Sequence, residues 1–460
     1  MNIPTFTYGK LPVQAWEYPA VFFIFILVTI LGLQVVRKKS PLDPSWKYFL
    51  PGMWIKLGGG IFFALIYVLY YGGGDTTSYF ECAIAYVNLL FENPIAFTEA
   101  MAGGGTIEIK SLFNSRTGVP MGYMFFDDKT RTVIKLCVPF VLLGGKSYFI
   151  STMLISLATY GGLWRLYRMF VRYFPAFYKN LAVAILFMPS VIFWGSGILK
   201  DSFTLAGTCY FIVATDMIIN KHGSRLVKWI MLAVSGLVVV SIKPYILIIL
   251  LPGTMVWFFY QRIKQIKNKY FRYVIVPFIY LIILGGSYGA LTQLGGALGK
   301  FAPDKALETA VVIQRDLKQE YYEGASFDIG EYDATVFSIV GKFPAAVVAG
   351  LYRPFLWESR NAVMLLSGAE NMFIMIITLL VLIRLRLKVI YRLIADEPLI
   401  LYSFVFAILF AFMIGVTTSN FGALVRFKIP LIPLYMASIM VMYGHLNSKR
   451  GRKQTKSPVN

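Results

Sequence analysis

The chain has 460 residues, of which 57% are hydrophobic and 15% charged. An ordinary globular domain carries about 25% charged residues, so a soluble enzyme is excluded and recurrent apolar runs of membrane-crossing length take its place. A net charge of +21 would suit nucleic acid, but only if the charges gather on one binding face.

The first apolar run, 19–36, is too long for a signal-peptide core, and its basic cluster Arg37-Lys38-Lys39 follows it. It reads as a retained span. Ten further spans are predicted at 53–71, 148–164, 180–197, 203–219, 226–241, 246–260, 273–291, 370–386, 398–416 and 429–444. With the N-terminus outside, the cytoplasmic segments carry 25 basic and four acidic residues, and the rest of the chain carries 19 of each. The net charge is therefore a topology signal, and nucleic acid drops out as a partner. The expected fold class is an all-α polytopic membrane bundle of about 11 transmembrane helices, with the C-terminus cytoplasmic and the lipid bilayer as its surroundings. Residues 1–447 read as one transmembrane domain and 448–460 as a basic cytoplasmic tail.

Between spans, residues 79–91 repeat apolar side chains at helical spacing until Asn93-Pro94, which predicts an outer interfacial helix. Residues 132–143 hold Lys135 and Pro139 and are too short to span, so an interfacial or re-entrant helix is expected. Two long outer loops are expected, at about 72–147 and 292–369; the second carries an acidic stretch from Asp316 to Asp333 that reads as solvated surface. Gly58-Gly59-Gly60 and Gly103-Gly104-Gly105 lack a P-loop lysine and read as close helix packing and loop flexibility. Cys82, Cys137 and Cys209 show neither zinc spacing nor a disulfide framework. With only His222 and His445, a histidine metal site or a Ser-His-Asp triad lacks its parts. No cofactor is expected.

Five short polar segments gather on the outer side. Gly72–Tyr79 holds Asp75 and Tyr79, and Gly197–Ser202 holds Lys200 and Asp201. Ser241–Tyr245 holds Lys243 and Tyr245; Tyr352–Glu358 holds Arg353, Trp357 and Glu358; Asn420–Pro430 holds Arg426 and Lys428. Cations in very short outer loops are costly unless paired or functional. Converging in one cleft, they would suit a diphosphate, to which Arg offers a fork and Lys a point charge. Plainer readings stand beside this one. Asp75 also reads as a turn or cap residue, Lys200-Asp201 as a local ion pair, Lys243 as a snorkelling lysine, and Arg353 with Glu358 as a structural pair. Arg426 and Lys428 have no acidic neighbour in sequence.

The Gly-Asp-Thr-x-x-Tyr element at Gly74–Tyr79, the Lys200-Asp201-Ser202 turn, the Arg426-x-Lys428-x-Pro430 element and the long loop before the last three spans resemble bacterial Wzy-type and EpsG-like polysaccharide polymerases. The resemblance implies a glycosyltransferase of the bacterial cytoplasmic (inner) membrane, working beside other polysaccharide assembly proteins. Its substrate would be an oligosaccharide on undecaprenyl diphosphate, polymerised at the outer leaflet. An acceptor hydroxyl attacks the anomeric carbon and the lipid diphosphate leaves. Lys200, Lys243, Arg353, Arg426 and Lys428 would stabilise that diphosphate. Asp75, or next Asp201 or Glu358, would be the base, and Tyr79, Tyr245 and Trp357 would stack on sugars. A metal would need carboxylates such as Asp75 with Asp201; a metal-free site is expected. A GT-C-like lipid-phosphate-sugar glycosyltransferase, whose outer-face Asp resembles Asp75, and an O-antigen ligase are the enzymatic alternatives. A transporter or flippase of a lipid-linked or anionic substrate is the non-enzymatic one, against which stand the absence of a visible repeat and the few mid-span charges, Lys56 and Asp216.

Overall fold

A computed structural model describes residues 5–8, 11–264 and 326–454, with Glu308, Val311, Val312 and Asp316. The expected span at 273–291 and the end of the basic tail lie outside the described residues, as do Glu320 and Glu323 of the acidic stretch. Within the described residues the chain is all-α apart from an antiparallel hairpin, β1 (Thr5–Tyr8) and β2 (Leu11–Gln14).

α1 (Glu17–Lys39) starts on an anchored acid: Glu17 accepts from the Gln14 N–H at 2.9 Å and from the Ser147 hydroxyl. It ends on Arg37, Lys38 and Lys39, where cations complement the helix C-terminus. Asp43 caps the 3-10 turn Pro44–Tyr48, which leads into α2 (Phe49–Leu65) and a closing π turn, Ile66–Tyr70. Gly72, Gly73 and Gly74 all take positive φ, which a residue with a Cβ resists, and they swing the chain into α3 (Asp75–Glu92). Asn93 ends α3 and caps α4 (Pro94–Ala102). Two single turns, α5 (Ile107–Ser111) and α6 (Gly122–Phe126), precede α7 (Asp128–Leu143), and α8 (Tyr148–Tyr173) follows.

Where one span was expected at 180–197, the chain forms two short helices, α9 (Tyr178–Leu186) and α10 (Pro189–Trp194). Pro189 has no N–H to continue the ladder and disfavours helix at the residue before it. α11 (Lys200–Ile219), α12 (Arg225–Ile242) and α13 (Pro244–Lys264) complete this half. Further on come α14 (Val336–Gly341), α15 (Phe343–Tyr352), α16 (Ala362–Arg384), α17 (Leu387–Asp396), α18 (Pro398–Thr417), α19 (Phe421–Phe427) and α20 (Ile432–Gln454).

Among the described residues six helical segments are long and apolar enough to cross a membrane: α1, Pro44–Tyr70 around α2, α11, α12, α16 and α18. Two bent pairs, α7 with α8 at 111° and α19 with α20 at 70°, raise the number to eight if each is one span. These are the helices of a multi-pass membrane protein. The stretch expected as interfacial or re-entrant, 132–143, falls in the first bent pair, and the expected 246–260 span is a shorter apolar helix. The two expected loops are largely helical within the described residues, as α3–α7 and as α14 and α15.

The chain divides into two compact units. The first is Met1–Arg168, Val191–Phe211 and Ala233–Lys243; the second is Met169–Ser190, Ile212–Leu232 and Pro244–Asn460. In the first, α3 packs along α7, and α2 comes close to its neighbours at Gly59 and Gly60, where a Cβ would collide with Ile192 and Ser156. Lys56, buried in α2, donates to the carbonyls of Val191 at 3.0 Å and Gly195 at 2.6 Å, at the end of α10. Arg168 pairs with Asp43 at 2.6 Å at the start of α2, beside the basic end of α1. In the second unit, α15 crosses α18 with backbones nearly touching: Gly350 faces the Ala411 carbonyl and Gly415 faces that of Ala346. Each helix carries an Ala-x-x-x-Gly stripe there, the small-residue spacing that lets membrane helices approach closely.

Candidate functional site

In the first unit a cluster of charges forms where four helix ends meet. Asp75 is the first residue of α3 and is exposed. Asp127 caps α7, accepting from the Thr130 N–H at 2.9 Å and from the Thr130 hydroxyl. Lys200 opens α11; its ammonium donates to the Thr130 hydroxyl at 2.7 Å and pairs with Asp127 at 3.5 Å. It also lies within electrostatic reach of Asp75 and Lys243. Behind it, Asp201 is 2% exposed and accepts from Lys243, just past the end of α12, at 2.5 Å.

Chemically, this is a half-buried ammonium paired with one accessible carboxylate, Asp127, with a second, Asp75, within electrostatic reach, over a buried ion pair. Partial burial pushes the Asp127 carboxyl up, but donation from Thr130 and the nearby Lys200 charge outweigh it and hold the group below its ordinary value. Lys200 has three N–H donors. Thr130 takes one, and the contact with Asp127 is long, so the ammonium keeps capacity for an incoming anion. Asp75 can accept a proton from a hydroxyl brought beside it.

The second unit holds a different cluster. Lys428 is 1% exposed; it donates to Asn371 and to the Arg353 carbonyl, the latter at 3.1 Å. Glu370, also buried, accepts from the Ser190 N–H at 2.6 Å and from the Ser190 hydroxyl at 2.7 Å. Asn371 donates to the Pro354 carbonyl at 2.9 Å, across the break that precedes α16. Arg353 pairs with Glu358 at 2.6 Å, and its guanidinium lies over the rings of Phe327 at 5.0 Å and Phe355 at 5.8 Å.

Compared with protein-family models, curated proteins and solved structures, the chain matches none.

Among the predicted site residues, Asp75, Lys200, Asp201 and Lys243 come together in the first unit, and Arg353, Glu358 and Lys428 in the second. Arg426 is half-buried on α19. Three of the outer cations have acidic partners: Lys200 has Asp127, Lys243 has Asp201 and Arg353 has Glu358, the last as the structural-pair reading expects. Lys200 and Asp201, adjacent in sequence, pair with other helices rather than with each other. A base role for Asp201 or Glu358 is disfavoured by their ion pairs, and Asp201 is not open to a metal in the company of Asp75. Among the described residues no three His, Cys, Asp or Glu side chains gather as a metal site would require. Tyr79 is 3% exposed, so its ring packs inside the unit instead of facing a sugar. Tyr245 lies against Phe410 at 6.1 Å. Trp357 is 71% exposed and stacks on Phe355 at 4.9 Å, so one face stays accessible.

Sequence reasoning missed Asp127, Thr130, Ser190, Glu370 and Asn371. Asp127 was signalled by its position: an Asp three residues before Thr130, directly ahead of an amphipathic run, is an N-cap signature. Glu370 was hidden because the span was drawn from 370, whereas α16 begins at Ala362 and places this acid inside the helix.

Proposed function

We propose that the chain is a glycosyltransferase of the bacterial cytoplasmic membrane, polymerising oligosaccharide units carried on undecaprenyl diphosphate at the outer face. It crosses eleven times, with its N-terminus outside. The observation that carries the reading is the placing of Lys200 among the carboxylates of Asp75 and Asp127. This cluster lies past the end of α2 opposite to Asp43, Arg168 and the basic end of α1, which fits a positive-inside arrangement.

Lys200 meets the donor's diphosphate, and Asp127 with Thr130 holds the ammonium in place. Asp75 takes the proton of the acceptor hydroxyl, whose oxygen bonds to the anomeric carbon. The bond from that carbon to the phosphate oxygen breaks, and its electron pair leaves with the lipid diphosphate, whose growing charge Lys200 offsets. Lys243 has a supporting part here: it neutralises Asp201 beneath the site.

A second reading, transport of a lipid-linked or anionic substrate, draws on the two bent helix pairs and on Lys56 and Glu370, buried inside helices of membrane-crossing length. Such features mark substrate pathways in broken-helix transporters.

Deletion of the gene in its host, complemented with wild type, Asp75→Asn or Lys200→Met, separates the two. Under the polymerase reading the long-chain polysaccharide ladder collapses to single lipid-linked repeats, and neither variant restores it although both reach the membrane. Full-length units held on the cytoplasmic side would establish transport instead. A ladder that persists with one sugar missing from each unit would establish a single-sugar transferase.

A further inference from the structure

We propose that the groove between α1 and α2 is the seat of the donor's polyprenyl chain; this rests on the function proposed above. The two helices run antiparallel. They meet closely near the basic end, where Gly32 abuts Leu50 and the Trp54 indole donates to the Thr29 hydroxyl at 3.0 Å. Beyond that crossing they part, leaving a groove of about 370 Å³. Phe22 and Phe25 of α1 form one wall, and Gly58, Ile61, Phe62 and Leu65 of α2 form the other. Among the described residues no charged side chain lines it. The volume is within the range of ligand sites, roughly 300–1,000 Å³, and well above the ~150 Å³ that accommodates benzene.

Three observations choose the occupant. First, both walls belong to helices of membrane-crossing length, so the groove opens to hydrocarbon and not to water. Second, the Gly58-Gly59-Gly60 run is not uniform. Gly59 and Gly60 are required by packing, but a Cβ at Gly58 would meet nothing within 4 Å. A glycine inside a helix costs about 1 kcal/mol relative to alanine, and no neighbour at Gly58 explains that cost. What its missing side chain does is keep the groove open. Third, the groove runs toward the proposed site. Gly58 to Leu65 rises roughly 10 Å along α2 at about 1.5 Å per residue. α2 then passes through Ile66–Tyr70 into the glycine turn that presents Asp75. A chain lying in the groove with its diphosphate at that turn is continuous with Lys200, as a polyprenyl diphosphate requires. Flat aromatic walls suit the planar, methyl-branched isoprene units.

The test uses the full-length protein in vesicles of phosphatidylethanolamine and phosphatidylglycerol. One set carries a trace of diazirine-bearing undecaprenyl diphosphate, and a parallel set carries a diazirine-bearing phosphatidylglycerol; labelled peptides are mapped by mass spectrometry. The polyprenyl probe is expected to label 17–39 and 49–65, and unlabelled undecaprenyl diphosphate should compete. Gly58→Phe should lower that labelling about tenfold, the loss of roughly two buried methylenes' worth of contact, and Gly58→Ala, which adds a single methyl, should lower it by less. Gly58→Phe should also elute as wild type, since nothing lies within 4 Å of a Cβ there and the groove has room for the ring. Equal labelling by the phosphatidylglycerol probe, insensitive to competitor, would overturn the proposal in favour of bulk lipid. Labelling at the Gly72–Asp75 turn but not on α1 or α2 would overturn the groove and leave the active-site reading intact. Competed labelling in the groove, with a gene-deletion strain that still makes its ladder, would keep the groove and remove the polymerase.

Discussion

The two units use the same residue types at broken helix ends to opposite effect. In the first, Lys200 is half-buried, its contact with Asp127 is 3.5 Å, and Asp75 is open to solvent. In the second, Lys428, Glu370 and Asn371 are buried and tied to Arg353, Ser190 and Pro354. Low dielectric strengthens a satisfied polar network and penalises any member left alone. The buried cluster is therefore built to hold helix breaks together, and the open one retains the capacity to exchange a partner. A cation in a membrane protein is not diagnostic by itself; what it touches, and whether water reaches it, decides its role.

That contrast can be broken by substitution. Asp75→Asn should reduce transfer about 10²–10⁴-fold with an unchanged melting temperature in detergent; a protein that instead unfolds would make Asp75 structural. Lys428→Met should do the reverse, costing about 3–5 kcal/mol because a buried charge network loses one partner, read as thermal denaturation of the solubilised protein. Lys243→Met should destabilise by a similar mechanism at the Asp201 pair, near the lower end of that range. Combining it with Asp201→Asn should recover all but about 1 kcal/mol, since an apolar or neutral replacement of a whole pair is nearly neutral. The smallest effect concerns Asp127. Its folded-state value is held below the ordinary one, so its contribution is complete above about pH 4 and is lost as pH falls below that, through the depressed value. Given its exposure, the loss should be at most about 1 kcal/mol, and Asp127→Asn should abolish this pH dependence of melting.

Composition and charge placement made the all-α membrane class legible, because apolar runs and basic flanks are direct requirements of a bilayer. The end of α3 at Asn93 was legible too, since Asn-Pro acts locally, whereas its start at Asp75 was drawn four residues late, at 79. Pairing was not. Lys200 finds Thr130 and Asp127 seventy or more positions away, and Lys243 finds Asp201 across another helix. No periodicity encodes which helix ends meet. The break at Pro189 was visible as a proline but was read through, because the apolar run on both sides outweighed it. The depth of Glu370 was lost to a boundary drawn eight residues too late.

The central claim is that the Asp75–Lys200 cluster breaks the bond between sugar and lipid diphosphate. Purified full-length protein in vesicles with a lipid-linked oligosaccharide tests it directly, by measuring released polyprenyl diphosphate alongside product length. The account predicts one diphosphate released for each unit added by the wild type, and neither release nor growth with Asp75→Asn. Substrate that changes leaflet while its sugar–phosphate bond stays intact would contradict it.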